Sequence, residues 1–178
     1  MSAMLETARL ILREPRMSDA EAIATWLNDF GVSGNLARVP YPYRLADARG
    51  WLRTRRPGMA PGETNFAIEL AGEGCIGAVG FHQGVKGTVI GYWLGRPFWG
   101  QGIMTEAAGM ALDWFFERTD AQRVISGVFA FNAASLAVQK KLGFIETGRS
   151  RLHCLARAAD LEHIDTELTR SAWTAREQ

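Results

Sequence analysis

Apolar and polar positions alternate through several short stretches of this chain, and each predicts a strand with one buried face. Arg9-Leu-Ile-Leu-Arg13 is the first. Asn65–Leu70, Cys75–Phe81 and Thr88–Leu94 follow, separated by glycine-bearing turns that suit an antiparallel meander. Arg123–Phe129 is a fifth, and Phe144–Arg151 and Ile164–Thr169 complete a sheet of about seven strands. Between these runs the period lengthens to that of a helix. Ser18, with Glu21 three residues on, predicts a capped helix carrying Ala22, Ile23, Trp26 and Leu27. Leu45–Arg56 is a second helix, ended by Pro57-Gly58, and Ile103–Arg118 a long third. Ala133–Leu142 is a short fourth, closed by Gly143. Gly31–Pro42, rich in Gly, Asn and Pro, reads as a loop.

The order of these elements predicts an α/β fold, a mixed and mostly antiparallel twisted sheet flanked by helices. At 178 residues and 47% hydrophobic content the chain suits a single domain spanning residues 1–178. Its 20 basic and 19 acidic residues are interspersed, which argues against a nucleic-acid groove or a polybasic membrane anchor. Cys75 and Cys154 form neither a disulfide framework nor a zinc motif, and His82, His153 and His163 lack metal-ligand spacing, so no metal is expected. No apolar run reaches the ~20 residues of a membrane span. A cytoplasmic monomer or homodimer is the expectation.

The chemistry concentrates in Ile90–Ala108, where an apolar strand runs through Trp99-Gly100-Gln101-Gly102 into the long helix. Two glycines there let the backbone turn with its N–H groups inward, and a helix N-terminus offers unpaired donors and a positive dipole end. Such a junction suits a phosphate. It is not a nucleotide-hydrolysing P-loop, because Ile103 and Met104 follow Gly102 where that motif has Lys and Ser or Thr. Gly72-Glu-Gly-Cys-Ile-Gly77 has dinucleotide-site spacing, yet Ala78-Val-Gly-Phe81 continues as strand, so it is a hairpin turn.

Thr7-Ala-Arg-Leu-Ile-Leu-Arg13, Trp99–Ala107, and Asn132-Ala-Ala-Ser135 leading to Lys141-Leu-Gly-Phe144 together resemble the GNAT superfamily of N-acetyltransferases, in particular its ribosomal-protein N-terminal (RimJ/RimL-type) branch. The resemblance implies an acetyl-CoA-dependent transfer of acetyl to a primary amine, with a splay between the fourth and fifth strands. It implies that Trp99, Gly100, Gln101, Gly102, Ile103, Met104 and Thr105 hold the diphosphate of acetyl-CoA, and that Trp93 and Leu94, beside Tyr92, border its pantetheine arm. Asn132 would contact the same arm. Pro97 stands where the superfamily commonly has Gln or Arg, which leaves the backbone amides as the cradle.

Asn132, Ser135 and Gln139 share one helical face by spacing. Asn132 and Ser135 also suit a helix cap. Many superfamily members carry a tyrosine acid where Gln139 stands, and a carboxamide has no such proton to give. Ser135 is therefore the candidate that protonates the leaving thiolate.

No residue stands out as the base. Arg157 occupies the place, by spacing, of the glutamate given that role in the ribosomal-protein enzymes; His153, Asp160 and Glu162 lie close by and His82 sits at the end of the third strand, each reading as a surface or hydrogen-bonded structural residue, and ordered water is an alternative. A protein α-amine is the favoured acceptor, with a small amine next. The rival of another class is a non-catalytic acyl-CoA-binding or sensing module. Tyr41, Tyr43 and Trp51 with Arg38, Arg44, Arg49 and Arg53 are expected to line the acceptor side.

Overall fold

The computed structural model describes residues 4–177. Eight strands form one sheet in the order β1-β2-β3-β4-β5-β6-β8-β7. They are β1 (Met4–Glu6), β2 (Leu10–Arg13), β3 (Asn65–Leu70), β4 (Gly74–Gly84), β5 (Gly87–Leu94), β6 (Arg123–Phe129), β7 (Ile145–Cys154) and β8 (Ala159–Thr169). Every neighbouring pair is antiparallel except β5 and β6, which run parallel. The helices are α1 (Ala20–Leu27), α2 (Phe30–Ser33), α3 (Leu45–Arg53), α4 (Ile103–Arg118), α5 (Ala133–Leu142) and α6 (Arg170–Thr174).

The two faces of the sheet carry different cores. Phe66, Ile68, Val79, Phe81, Ile90 and Leu94 project toward α4, whose Ala107, Ala108 and Ala111 let the helix lie close to the strands. Phe81 stacks on Phe115 at 4.5 Å. Each such large side chain contributes about 1.5–3 kcal/mol by leaving water. On the opposite face Ala67 and Cys75 meet Ile23, Leu27, Ala48 and Leu52 of α1 and α3. Burial raises the Cys75 thiol to about 11, so this cysteine is an inert packing residue. No helix among the described residues is long and apolar enough to cross a membrane.

Three expectations shift. Ser18 lies inside a 3-10 turn, Met17–Asp19, and the residue that organises the entry to α1 is Asp19. Its carboxylate accepts from the Arg16 amide at 2.7 Å and pairs with Arg13 through two bonds of 2.8 and 2.9 Å. The Gly31–Pro42 segment contains α2, a single turn capped by Asp29, and the predicted second helix ends at Arg53. The last hairpin is longer than expected, because charged residues on β7 and β8 mask the alternation. Arg149 there bridges Glu146 and Glu162 across solvent-exposed strands.

Arg13 and Asp19 are both almost fully buried, with Glu69 a third member of the cluster. Burial pushes the Asp19 carboxyl up, but the bonds from Arg13 and the Arg16 amide outweigh it and hold it below the ordinary carboxylate value. A depressed acid contributes stability that is complete above its unfolded pKa and is lost as pH falls through the folded value. Asp19→Asn, which leaves the Arg13 charge with less compensation, is expected to cost about 3–5 kcal/mol at neutral pH in urea unfolding. The gap between wild type and variant should narrow as the pH falls below the carboxylate range.

Candidate active site

β5 and β6 share one ladder pair, Val89 with Ile125, and then diverge. Ser126 bridges the start of the gap by donating from Oγ to the Ile90 carbonyl at 3.0 Å. Beyond it opens a cleft of about 900 Å³ that reaches from the start of α4 to the loop between α1 and α3. Gln139 holds the gap at this width. Its amide nitrogen donates to Ser126 Oγ at 2.9 Å and to the Gly127 carbonyl at 3.3 Å, and its oxygen accepts from Thr166 at 2.7 Å. Gln139 is thus turned into the sheet, fully buried, on the side of α5 that also brings Asn132 and Ser135 to the cleft.

At one end of the cleft lies the glycine turn. Gly100 and Gly102 have φ of 72° and 74°, the left-handed conformation that glycine takes without strain. The first intrahelical bond of α4 runs from the Glu106 amide to the Gly102 carbonyl, so the amides of Ile103, Met104 and Thr105 have no partner inside the helix. Those three residues line the cleft with Trp93, Leu94, Trp99, Gly100 and Gly102. Gln101 departs from this set, since its side chain turns back to the Pro97 carbonyl at 3.0 Å. Trp99 caps the end of β5 by donating its indole N–H to the Leu94 carbonyl at 2.7 Å.

The turn is braced from the connection between β1 and β2. Arg9 pairs with Glu106 through two bonds of 2.6 and 2.9 Å and donates to the Gln101 carbonyl, while Thr7 donates to the other Glu106 oxygen. Burial raises the Glu106 carboxyl, and the bonds from Thr7 and Arg9 more than reverse this, so it stays ionised but locally neutralised. Its charge therefore does not cancel the positive end of α4.

Asn132 caps α5, accepting from the Ser135 amide at 3.2 Å. Ser135 Oγ faces the cleft and lies 3.0 Å from the Tyr92 hydroxyl. Tyr92 alternates with the buried Ile90 and Leu94, which puts its side chain on the α4 and α5 face. Burial chiefly raises its pKa, so the phenol is a retained proton. Sequence spacing linked Ser135 only to its helical neighbours; the strand period was the signal for Tyr92.

On the opposite face the cleft is walled by Leu27, Val32, Leu36, Val39, Tyr43, Trp51 and Trp93. Of the four arginines expected there, Arg38 alone lines it, while Arg44, Arg49 and Arg53 belong to the exposed side of α3 or its cap. Tyr41 packs instead edge-on to Phe30 at 5.2 Å. Arg157 fastens the β7–β8 hairpin, donating to the Gly34 carbonyl at 2.7 Å and covering the rings of Phe30 and Phe131. Glu162 is bound to Arg149, and His153 to Asp160, all well exposed. Among the described residues no group of acidic, His and Cys side chains has the arrangement of a metal site.

The sequence pattern of the acetyltransferase (GNAT) domain matches residues 9–145. The chain is 30% identical over 158 residues to the uncharacterized N-acetyltransferase YoaA of Bacillus subtilis, covering 83% of this chain and 86% of that protein. It is 27% identical over 103 residues to the ribosomal protein uS5-alanine N-acetyltransferase of Escherichia coli, 56% of this chain and 53% of that enzyme. The crystal structure of the ribosomal-protein-S5-alanine acetyltransferase of Vibrio fischeri superimposes with a TM-score of 0.77 at 21% identity, over 96% of this chain and 98% of that one.

A Cβ on Gly100 would meet no atom within 4 Å, so a side chain there extends into open space beside the amides. Gly100→Glu is expected to weaken acetyl-CoA binding at least 100-fold in calorimetry. Folding stability should fall by only about 1–2 kcal/mol, the cost of a side chain in the left-handed region. Unchanged affinity would remove the turn from the donor site.

Proposed function

Since this chain belongs to the GNAT acetyltransferases, which take acetyl from acetyl-CoA, we propose that it acetylates the α-amine of a peptide or protein N-terminus. The observation that carries the reading is the charge of the acceptor side. Arg38 is the arginine that lines the cleft, and Asp165 is the sole carboxylate among the lining residues, already bonded to His163. A polyamine needs several carboxylates to replace its water. An α-amine has a pKa near 7.7–8.0 and is partly neutral in the cell, so it enters this chamber without a counter-ion. The partial identity to the uS5-alanine enzyme supports the same acceptor class. A small amine that carries its own carboxylate is the second reading, favoured by the Arg38 guanidinium.

In this reading the amides of residues 103–105 bind the donor diphosphate, each charge at the helix N-terminus contributing about 0.3–2 kcal/mol. Trp93 and Leu94 border the pantetheine arm along the open edge of β5, and Asn132 contacts the same arm from α5. When the amine attacks, the N–C bond forms, the C–S bond breaks and the thiolate needs a proton. Ser135 supplies it, and the Tyr92 phenol, hydrogen-bonded to Ser135, replaces it. The phenol thus enters from β5, in place of the tyrosine that other members carry at the position of Gln139.

Two measurements test this. Ser135→Ala is expected to lower kcat by roughly 10²–10⁴ with acetyl-CoA affinity unchanged, and wild-type turnover would return Ser135 to a cap residue. In thiol-release assays at fixed salt, alanine-initiated peptides and carboxylated amines should be used with a higher kcat/KM than spermidine. A tenfold preference for spermidine would overturn the acceptor assignment.

A further inference from the structure

The acceptor amine loses a proton on attack, and His82 is badly placed to take it. His82 lies 2.9 Å from the Arg38 guanidinium through Nε2, so that lone pair is already used. Burial, reinforced by Arg38 and Arg55, holds its pKa below the usual imidazole value. His153 sits with Asp160 on the exposed hairpin.

We propose that His163, oriented by Asp165, is the base that receives the amine proton. The assignment rests on the acetyl-transfer reading above. His163 and Asp165 are two residues apart on β8, so both project from the same face of the sheet, and both line the cleft. Asp165 Oδ1 accepts from His163 Nδ1 at 2.8 Å and from Ser150 Oγ at 2.9 Å, Ser150 being opposite His163 in the β7–β8 register. A ring that donates Nδ1–H to a carboxylate has its lone pair on Nε2. Nε2 makes no hydrogen bond among the described residues. Phe129 supports the ring edge-on at 5.8 Å.

The strand opposite has been cleared for this imidazole. A Cβ on Gly127 of β6 would fall 2.2 Å from His163 Cε1 and 2.8 Å from Nε2. The ring therefore occupies the place of a side chain at 127, on the strand that parts from β5. Ser135 and Tyr92 approach from the α5 face, while His163 lies on the α1 and α3 face. A thioester held in the splay has a proton acceptor on one side and a proton donor on the other. The neutral amine attacks the carbonyl carbon, its proton passes to Nε2, the C–S bond breaks, and sulfur takes the Ser135 proton. One proton is gained and one given; the Tyr92 phenol replaces the Ser135 proton, and solvent then restores Tyr92 and His163.

The test is the pH dependence of thiol release from acetyl-CoA with an alanine-initiated peptide. Asp165 is the ionisable group bonded to His163. Gly127 and Phe129 of β6 and Ser150 of β7 are uncharged, and the remaining Arg, Lys and His residues of the cleft are Arg38, His82, Lys141 and His153. His163→Gln is expected to lower kcat by 10²–10³, to abolish the imidazole limb of the profile and to leave calorimetric affinity for acetyl-CoA intact. Asp165→Asn, which keeps the shape but loses the anchoring charge, should lose at least tenfold, and free imidazole should partly rescue His163→Ala. Native-like variants with wild-type kcat and profile would overturn the assignment alone. A wild type that binds acetyl-CoA but releases no thiol with any amine would overturn the acetyl-transfer reading, and this base with it.

Discussion

Everything at the site depends on two parallel strands being kept apart. An open edge inside a sheet is unfavourable, because backbone N–H and C=O groups left without partners each cost as much as a lost hydrogen bond. The chain meets this cost with side chains. Ser126 bonds the last carbonyl before the gap, and Gln139 ties α5 to β6 and β8 at the same level. A tyrosine at 139 would bring one hydroxyl and no second donor, so the carboxamide that appears at first to be a loss of chemistry is the wedge of the cleft. The proton-bearing phenol then has to come from elsewhere, and Tyr92 on the facing strand lies within hydrogen-bond reach of Ser135.

The donor end is built on the same economy of charge. The turn itself, residues 99–105, carries no lysine or arginine, so in the proposed reading the helix dipole and three amides without an intrahelical partner are left to attract the anion. That works only if Glu106 in the first turn is neutralised. Thr7 and Arg9, from the turn between the first two strands, do so, with Arg9 also bracing the turn through the Gln101 carbonyl. The opening Thr-x-Arg-Leu-x-Leu-Arg run is therefore two clamps in one segment, Arg9 on the donor turn and Arg13 on the buried Asp19.

The sheet and main helices were legible because their periods are dictated by burial. Phe66, Ile68, Ile90 and Leu94 must face α4, and the strands that carry them were placed nearly to the residue. β1 and the ends of β7 and β8 escaped because they are exposed and charged, so no apolar alternation marks them. The glycine turn was legible from chirality and helix-end chemistry alone. The acceptor side was not. Arg38, His82 and the His163–Asp165 pair come from three distant segments, and their meeting depends on strand order, which no local pattern encodes. Gly127 illustrates the limit: nothing in its local sequence marks the partner, and the structure shows the His163 imidazole of another strand filling the room a Cβ would take.

The tip of the β7–β8 hairpin is stitched to the loop after α2. Leu155 donates to the Ala37 carbonyl, Arg157 to the Gly34 carbonyl, and the Cys154 thiol points at Gly34 and Leu36. Gly34 itself has no room for a side chain, since a Cβ would strike the Phe30 carbonyl. These two segments, some 120 residues apart, form one rim of the cleft. In the proposed reading substrate preference is inherited as a matched pair of loops, so grafting a new specificity requires transplanting both together while the half with the glycine turn stays as it is.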